Sequence, residues 1–236
     1  MFNSVVLRDW QSTAEGETVL QHFYDPHSSG RKLFGILEKP NLPASVEEVS
    51  YKLFVGGRVG VGKTTAIARL AGIPCQSTYI ETAGIHKTNI FWPVKIWDKT
   101  ILFKLQFWDA GENSMKKYSH ILTACKEKAD AVVLVFSYTD AASFLEIPQL
   151  MSKLSQGHYP AKIVIGTRYS STVGNQEVSS AQIQEFELKW KVRVLRLNSS
   201  MSERNEVHKI SPIMNVICEQ LWIRDQDYLL KQGLNP

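Results

Sequence analysis

Three cysteines in 236 residues, Cys75, Cys125 and Cys218, are too few and too far apart for a disulfide framework or a zinc site. They read as reduced thiols of a cytosolic protein, acting as small buried hydrophobes. Long apolar runs are missing too. None approaches the roughly 20 residues that a membrane-spanning helix needs. The opening MFNSVVLRDW has no basic region followed by a long apolar one, which argues against a signal peptide. Phe2 stands where myristoylation needs glycine, and the closing KQGLNP offers no cysteine for prenylation. The expectation is a chain with no lipid anchor of its own, which reaches a membrane only through a partner. Charge of one sign is scarce: 27 Lys and Arg face 23 Asp and Glu, a net charge of +4 with no basic run. Nothing there argues for nucleic acid. The six histidines have no paired metal spacing, and no Ser/His/Asp set sits in a defining local context. Internal repeats and low-complexity tracts are absent.

What is present supports one sizeable core, since 44% of the residues are hydrophobic. The stretches YDPHSSGRK and EKPNLPASVEEVS are rich in Pro, Ser and charge and read as linkers. Residues 1–50 are therefore expected to form an N-terminal extension, 51–223 the main domain and 224–236 a C-terminal tail. Within the extension, DWQSTAEGETVLQHFY suits a short helix and KLFGILE a strand or docking segment. Trp10, Phe23, Phe34 and Leu37 are apolar enough to pack either on the chain's own core or on a partner.

Beyond residue 50, short apolar runs alternate with helical patterns. YKLFV (51–55), AVVLVFS (131–137), KIVIG (162–166) and VRVLRL (192–197) read as strands covered on both faces. NIFWPVKIW and TILFKLQFW flank Asp98-Lys99 as a hairpin, and Pro93 assigns the first to an edge. Lys63 to Ala71 reads as a helix. Ser179 and Gln182 form a possible capping box before Ile183, Phe186 and Trp190. Ile210, Ile213, Met214, Ile217, Cys218, Leu221 and Trp222 trace a helical stripe, with Ser211 as its cap and Pro212 at its first position. The alternation predicts an α/β fold with a mostly parallel six-stranded sheet, an antiparallel edge hairpin and an N-terminal extension.

One motif carries chemistry. In GGRVGVGKTT, Gly57, four further residues and Gly62-Lys63-Thr64 complete a P-loop between a predicted strand and a predicted helix. Glycines let backbone N–H groups turn inward around phosphate oxygens, and the helix N-terminus adds favourable partial charge. Lys63 would reach the β- and γ-phosphates, and the Thr64 hydroxyl would ligate Mg²⁺. The candidate phosphate residues are Gly57, Arg58, Val59, Gly60, Val61, Gly62, Lys63, Thr64 and Thr65.

From Tyr51 onward the order of motifs resembles the Rab-like small GTPases of the Ras superfamily, and implies their P-loop fold. Thr82-Ala83-Gly84-Ile85 resembles switch I at the family's spacing from Thr64. FWDAGE resembles switch II, and VLVFSYTDAASF resembles the fourth strand with the segment after it. Trp10 to Gly16, FGILEKP, FWP and EQLW (219–222) are similar to the Rem/Rab-similar small GTPases of the ciliogenesis and planar polarity effector (CPLANE) complex. By this resemblance GTP or GDP with Mg²⁺ is the cofactor. Thr64, Thr82 and Asp109 would hold the metal, Asp109 through a water, and Gly111 would offer its N–H to the γ-phosphate. Thr167, Arg168, Ser170 and Ser199 would face the base. The resemblance further implies protein partners of the CPLANE complex (Fuzzy, Inturned and Fritz-like subunits) at the switches and edge hairpin. It implies a cytoplasmic place at the cytoskeleton and cilium basal body, and a role in ciliogenesis, exocytosis and vesicle targeting.

The chain departs from the family's pattern in ways that bear on hydrolysis and base choice. Val59 stands where efficient GTPases carry glycine, and its branched side chain should obstruct the attacking water. DAGE is one residue shorter than the family's motif, and Glu112 replaces the glutamine that orients water. Thr167-Arg168-Tyr169-Ser170 replaces Asn-Lys-x-Asp, so a short neutral hydroxyl stands where a carboxylate would read guanine. Ser199, in LNSSMS, is a faint echo of the family's base loop. Two readings stay open: a slow GTP switch, or a pseudo-GTPase whose partner binding ignores nucleotide. A P-loop small-molecule kinase is disfavoured, because no Arg-rich lid or acceptor site is visible.

Overall fold

The computed structural model describes residues 4–24, 37, 39–73, 81–111, 117–154, 160–170, 175–198 and 207–233. Its centre is a six-stranded sheet in the order β2-β3-β1-β4-β5-β6. The strands are β1 (Glu47–Gly56), β2 (Ile85–Ile96), β3 (Lys99–Ala110), β4 (Ala131–Ser137), β5 (Ala161–Tyr169) and β6 (Val194–Asn198). β2 and β3 form the expected antiparallel hairpin, and every other neighbouring pair is parallel. The chain leaves β1 toward β3 on one side and returns to β4 on the other. That reversal opens a crevice at the carboxyl end of β1, where open α/β sheets bind ligands.

Seven α-helices lie among the described residues: α1 (Ala14–Tyr24), α2 (Lys63–Leu70), α3 (Ser119–Lys126), α4 (Ala141–Leu145), α5 (Ile147–Leu154), α6 (Ser180–Trp190) and α7 (Val207–Lys231). Two apolar clusters cover the two faces of the sheet. One joins Leu53, Val55 and Phe107 to Ile67 and Leu70 of α2 and to Met214, Ile217 and Leu221 of α7. The other joins Phe54, Leu134 and Phe136 to Ile121 of α3, Met151 of α5 and Phe186 of α6. β4 is buried at every position, as its unbroken apolar run requires. The capping box is present: the Ser179 side chain takes the Gln182 N–H, and the Gln182 side chain takes the Ser179 N–H. Burial pushes the Cys125 and Cys218 thiols up, so both side chains stay neutral inside the core.

Three expectations need correction. β1 begins at Glu47 rather than Tyr51, and its polar start pairs with β3 through Glu47↔Ile101 and Glu48↔Leu102. Pro212 lies inside α7 instead of opening it. A proline this near a helix start gives up one backbone hydrogen bond. Ile210 and Ser211 just before it are buried. α7 also continues through Lys231, where a tail was expected. The apolar stripe fades there because polar contacts take over. Arg224 pairs with Asp130 at 3.1 Å, and the Tyr51 hydroxyl donates to Asp225 at 2.7 Å.

The N-terminal segment packs on its own chain. Trp10 and Phe23 are each 1% exposed, and burial of such side chains contributes about 1.5–3 kcal/mol apiece. Val6 bridges to Ile96 on the outer edge of β2, and the Leu7 N–H donates to the Lys95 carbonyl at 3.0 Å. The proline-bearing edge strand is therefore partly covered from within the molecule. A buried polar group locks the arrangement. Asn215 Oδ1 accepts from Gln11 Nε2 at 2.8 Å and from Trp92 Nε1 at 2.9 Å. Asn215 Nδ2 donates to the Arg8 carbonyl at 2.9 Å and to Gln11 Oε1 at 3.0 Å. Of the expected segment KLFGILE, only Leu37 lies within the described residues, half-buried against the core; Phe34 lies outside them.

Glu15 adds a pH-dependent tie. Its hydrogen bond from Lys95 Nζ at 2.5 Å, then that from the Trp10 indole, hold its carboxyl below the ordinary value. A lowered folded pKa stabilises above the unfolded value of about 4.3. That contribution disappears as pH falls through the folded value. The Glu15 side chain is 53% exposed, so solvent holds the effect below about 1 kcal/mol. Urea unfolding should find Glu15→Gln slightly less stable at pH 7 and equal to the parent at pH 3. A gap of the same size at both pH values would contradict the assignment.

Candidate nucleotide and metal site

The crevice at the end of β1 is lined by the P-loop. Gly57 has φ of 141°, and a Cβ there would lie 2.2 Å from the Val135 carbonyl oxygen. Only glycine lets the loop start this close to β4. Gly62, at φ of 91°, precedes the first turn of α2, whose positive helix end suits phosphate oxygens. Lys63 Nζ donates to the carbonyls of Gly57 and Arg58, both at 3.0 Å. The Arg58 guanidinium leans away toward Asp140 (3.8 Å) and Glu146 (3.9 Å), so Arg58 belongs to the loop through its main chain. Val61 is buried at 1% exposure, whereas Val59 is 42% exposed. Gly60 and Thr65 complete the loop and the first turn of α2.

Three oxygen-bearing side chains meet beside it, each from a different element. Thr64 stands on α2, Thr82 on the segment before β2, and Asp109 near the end of β3. Thr64 Oγ1 and Thr82 Oγ1 are 2.9 Å apart, and Thr82 Oγ1 donates to Asp109 Oδ2 at 3.4 Å. Thr64 Oγ1 donates to the same carboxylate oxygen. Asp109 is fully buried, and its Oδ1 has no hydrogen-bond partner among the described residues. A buried carboxylate oxygen left unpaired is costly unless a cation compensates it. One carboxylate and two hydroxyls form the hard oxygen set that suits Mg²⁺, an ion that keeps several waters and shares phosphate oxygens. Among the described residues no group of three or more His, Cys, Asp and Glu could hold a metal, so this set is not a self-sufficient protein cage. The residues present thus fit Mg²⁺ bound together with a phosphate.

Gly111 joins the two segments expected to be switches. Its N–H donates to the Gly84 carbonyl at 3.3 Å, and a Cβ at Gly111 would lie 1.9 Å from the Thr82 carbonyl oxygen. The group expected to serve the γ-phosphate is therefore engaged by Gly84 in this structure. Gly84 was missed as a contact, although its place in Thr82-Ala83-Gly84-Ile85 was the available signal. His86 lies in β2.

On the far side of the P-loop, Thr167 Oγ1 lies 2.6 Å from the Val61 carbonyl and 3.1 Å from that of Phe136. Arg168 has φ of 54°, and its Nη2 donates to the Gly60 carbonyl at 2.8 Å. Both side chains tie the end of β5 to the P-loop. Ser170 follows β5, and its carbonyl accepts from Gln176 Nε2. Glu112 and Ser199 lie outside the described residues. The hairpin aromatics differ in exposure. Trp92 and Phe107 are fully buried and Phe91 nearly so, Trp108 is half-buried, and Trp97 at the turn is 68% exposed.

Residues 52–218 match the Ras family. The chain is 37% identical to ciliogenesis and planar polarity effector 2 of Mus musculus, covering 100% of this chain and 95% of that protein. The Homo sapiens protein of the same name is 35% identical, over 99% of this chain and 94% of its own length. Ras-related protein Rab-13 of Rattus norvegicus is 37% identical over a shorter stretch, 45% of this chain and 49% of its own. No described helix is long and apolar enough to cross a membrane. The chain belongs to the Ras family and, within it, to the family of the ciliogenesis and planar polarity effector 2 proteins.

Proposed function

We propose that the protein binds GTP with Mg²⁺ at this crevice, cleaves it slowly, and uses the bound state to engage protein partners in ciliogenesis. The convergence of Thr64, Thr82 and Asp109, with Asp109 Oδ1 buried and unpaired, carries the reading. Lys63 and the first turn of α2 would hold the phosphates. Mg²⁺ would neutralise charge on the phosphate oxygens. Thr82 and Gly111 would report the γ-phosphate by ordering the segments they belong to. Thr167 and Arg168 fix the end of β5, where the base would lie, while Ser170 supplies no charged acceptor for guanine. The partners are the Fuzzy, Inturned and Fritz-like subunits of the CPLANE complex, met through the switch segments and the β2–β3 hairpin. The place of action is the basal body and its cytoskeleton, in vesicle targeting and exocytosis.

Slow cleavage rests on Val59 and Glu112. Single-turnover phosphate release from GTP-loaded protein should run below about 10⁻⁴ per second, and the Val59→Gly/Glu112→Gln double variant should be at least about tenfold faster. A parent as fast as its double variant would remove the reading of these two residues. Lys63→Ala should abolish both nucleotide retention and partner capture. Capture that survives the loss of nucleotide would instead support a binding module indifferent to nucleotide.

A further inference from the structure

The end of β5 carries one extra residue. Gly166 pairs with Arg196 and Tyr169 with Asn198, so Thr167 and Arg168 together stand opposite Leu197. Such a bulge bends its strand and re-aims the side chains on it. Here it takes Arg168 to a φ of 54°, a left-handed conformation that costs any residue with a Cβ. Strain of that kind persists only where the surroundings hold it. The contact that Arg168 itself makes, from Nη2 to the Gly60 carbonyl at 2.8 Å, is exposed, and water competes for an exposed hydrogen bond. The hold must come mainly from the residues on either side.

Thr167 is one of them, fixed on the Val61 and Phe136 carbonyls. Tyr169 is the other. It is half-buried against the second apolar cluster, not the one that takes in Val61 of the P-loop. The place for its ring begins with a glycine. Phe136, Gly166 and Arg196 are paired neighbours across β4, β5 and β6. A Cβ at Gly166 would collide with the Tyr138 and Phe136 rings, so the missing side chain opens a slot that the Tyr138 ring fills. Tyr138 is 2% exposed. Its N–H donates to the Thr167 carbonyl at 3.0 Å, and its carbonyl accepts the Glu177 N–H at 2.9 Å. The Tyr169 ring meets this fixed ring edge-on, 5.1 Å between centres, an arrangement that aromatic pairs favour. The Arg196 guanidinium lies over the Tyr169 ring, 5.3 Å from its centre, where the ring face attracts a cation. Tyr169 is thus gripped between a buried aromatic and an exposed cation, one residue from the strained Arg168.

We propose that Tyr169 is a positioning residue for the nucleotide site, a role that rests on the nucleotide binding proposed above. Held by Tyr138 and Arg196, it keeps Arg168 left-handed with its guanidinium on the Gly60 carbonyl. The P-loop is thereby braced from the base side, and nucleotide release slows. The Tyr169 ring works through Arg168 rather than by contact with the nucleotide.

The test loads the full chain with GTP carrying an N-methylanthraniloyl group on the ribose and follows its release into excess unlabelled GTP in Mg²⁺ buffer. Tyr169→Ala and Arg168→Ala should each speed release about fivefold, the scale of one net hydrogen bond. The double variant should release no faster than either single one, because the two residues act as one unit. Tyr169→Phe keeps the ring and should release at the parental rate. Arg196→Ala, at an exposed position, should fall between the parent and Tyr169→Ala, and it keeps the test decisive if Tyr169→Ala does not fold. A second readout needs no nucleotide: in EDTA, amide exchange at Gly60 and Val61 should quicken in Tyr169→Ala and Arg196→Ala. Parental release by these two variants, unchanged exchange, or effects that multiply in the double variant would overturn the positioning role and leave the nucleotide site standing. A parent that retains no labelled nucleotide would overturn both.

Discussion

Asp109→Asn is expected to weaken Mg²⁺-dependent nucleotide binding about 10–100-fold, while making the nucleotide-free protein more stable by about 1 kcal/mol. The two effects have opposite signs for one reason. In the folded chain Asp109 is fully buried, with one carboxylate oxygen receiving the threonine contacts and the other receiving none among the described residues. Without a cation that is a desolvated charge with incomplete compensation. With Mg²⁺ bound it would supply the negative charge that the metal needs beside Thr64 and Thr82. Removing the charge relieves the first situation and damages the second, a trade common at functional sites. Two measurements read it: thermal unfolding in EDTA without nucleotide, and nucleotide dissociation in Mg²⁺ buffer. If Asp109→Asn lowers stability in EDTA and leaves dissociation unchanged, Asp109 is a structural residue and the metal assignment fails.

The second large effect lies far from that site. Asn215→Ala should destabilise the protein by about 2–4 kcal/mol, since each buried polar group left without its partner costs about 1–3 kcal/mol. The change removes the acceptor used by Trp92 Nε1 and by Gln11 Nε2, and the donor that reaches the Arg8 carbonyl. Gln11 keeps one bond, to the Pro93 carbonyl at 3.1 Å, which limits the loss. Because Asn215 joins the N-terminal segment, β2 and α7, amide exchange should rise in all three together. A loss below about 1 kcal/mol in urea unfolding would mean that water replaces the amide without penalty.

Local signals explain what the sequence reveals. The P-loop is legible because its glycines, lysine and threonine are contiguous. Gly57, with its Cβ position against Val135, justifies the first of those glycines physically. β4 is legible because a strand covered on both faces must be apolar throughout. Thr82 and Asp109 are brought to Thr64 by the fold, and their distance along the chain is what the family resemblance bridged. Asn215 is the contrary case. It interrupts the apolar run of α7 and is 3% exposed, yet its partners stand more than 100 residues away in sequence at Trp92 and Gln11. No periodicity could name them. The far end of α7 was illegible because the Arg224–Asp130 and Tyr51–Asp225 contacts, not an apolar stripe, tie it to the core. The end of β5 was the least legible part, since Thr167 and Arg168 act on carbonyls of Val61 and Gly60 that carry no side-chain signal.

The most direct measurement of the central claim is the nucleotide the protein carries. Protein purified in Mg²⁺ buffer is denatured, and the released nucleotide is identified by chromatography, at once and after a day at room temperature. Bound GTP that persists through the day is the predicted result, from a Mg²⁺ and phosphate site paired with slow cleavage. Protein released without nucleotide, or with an indiscriminate mixture of bases, would contradict it.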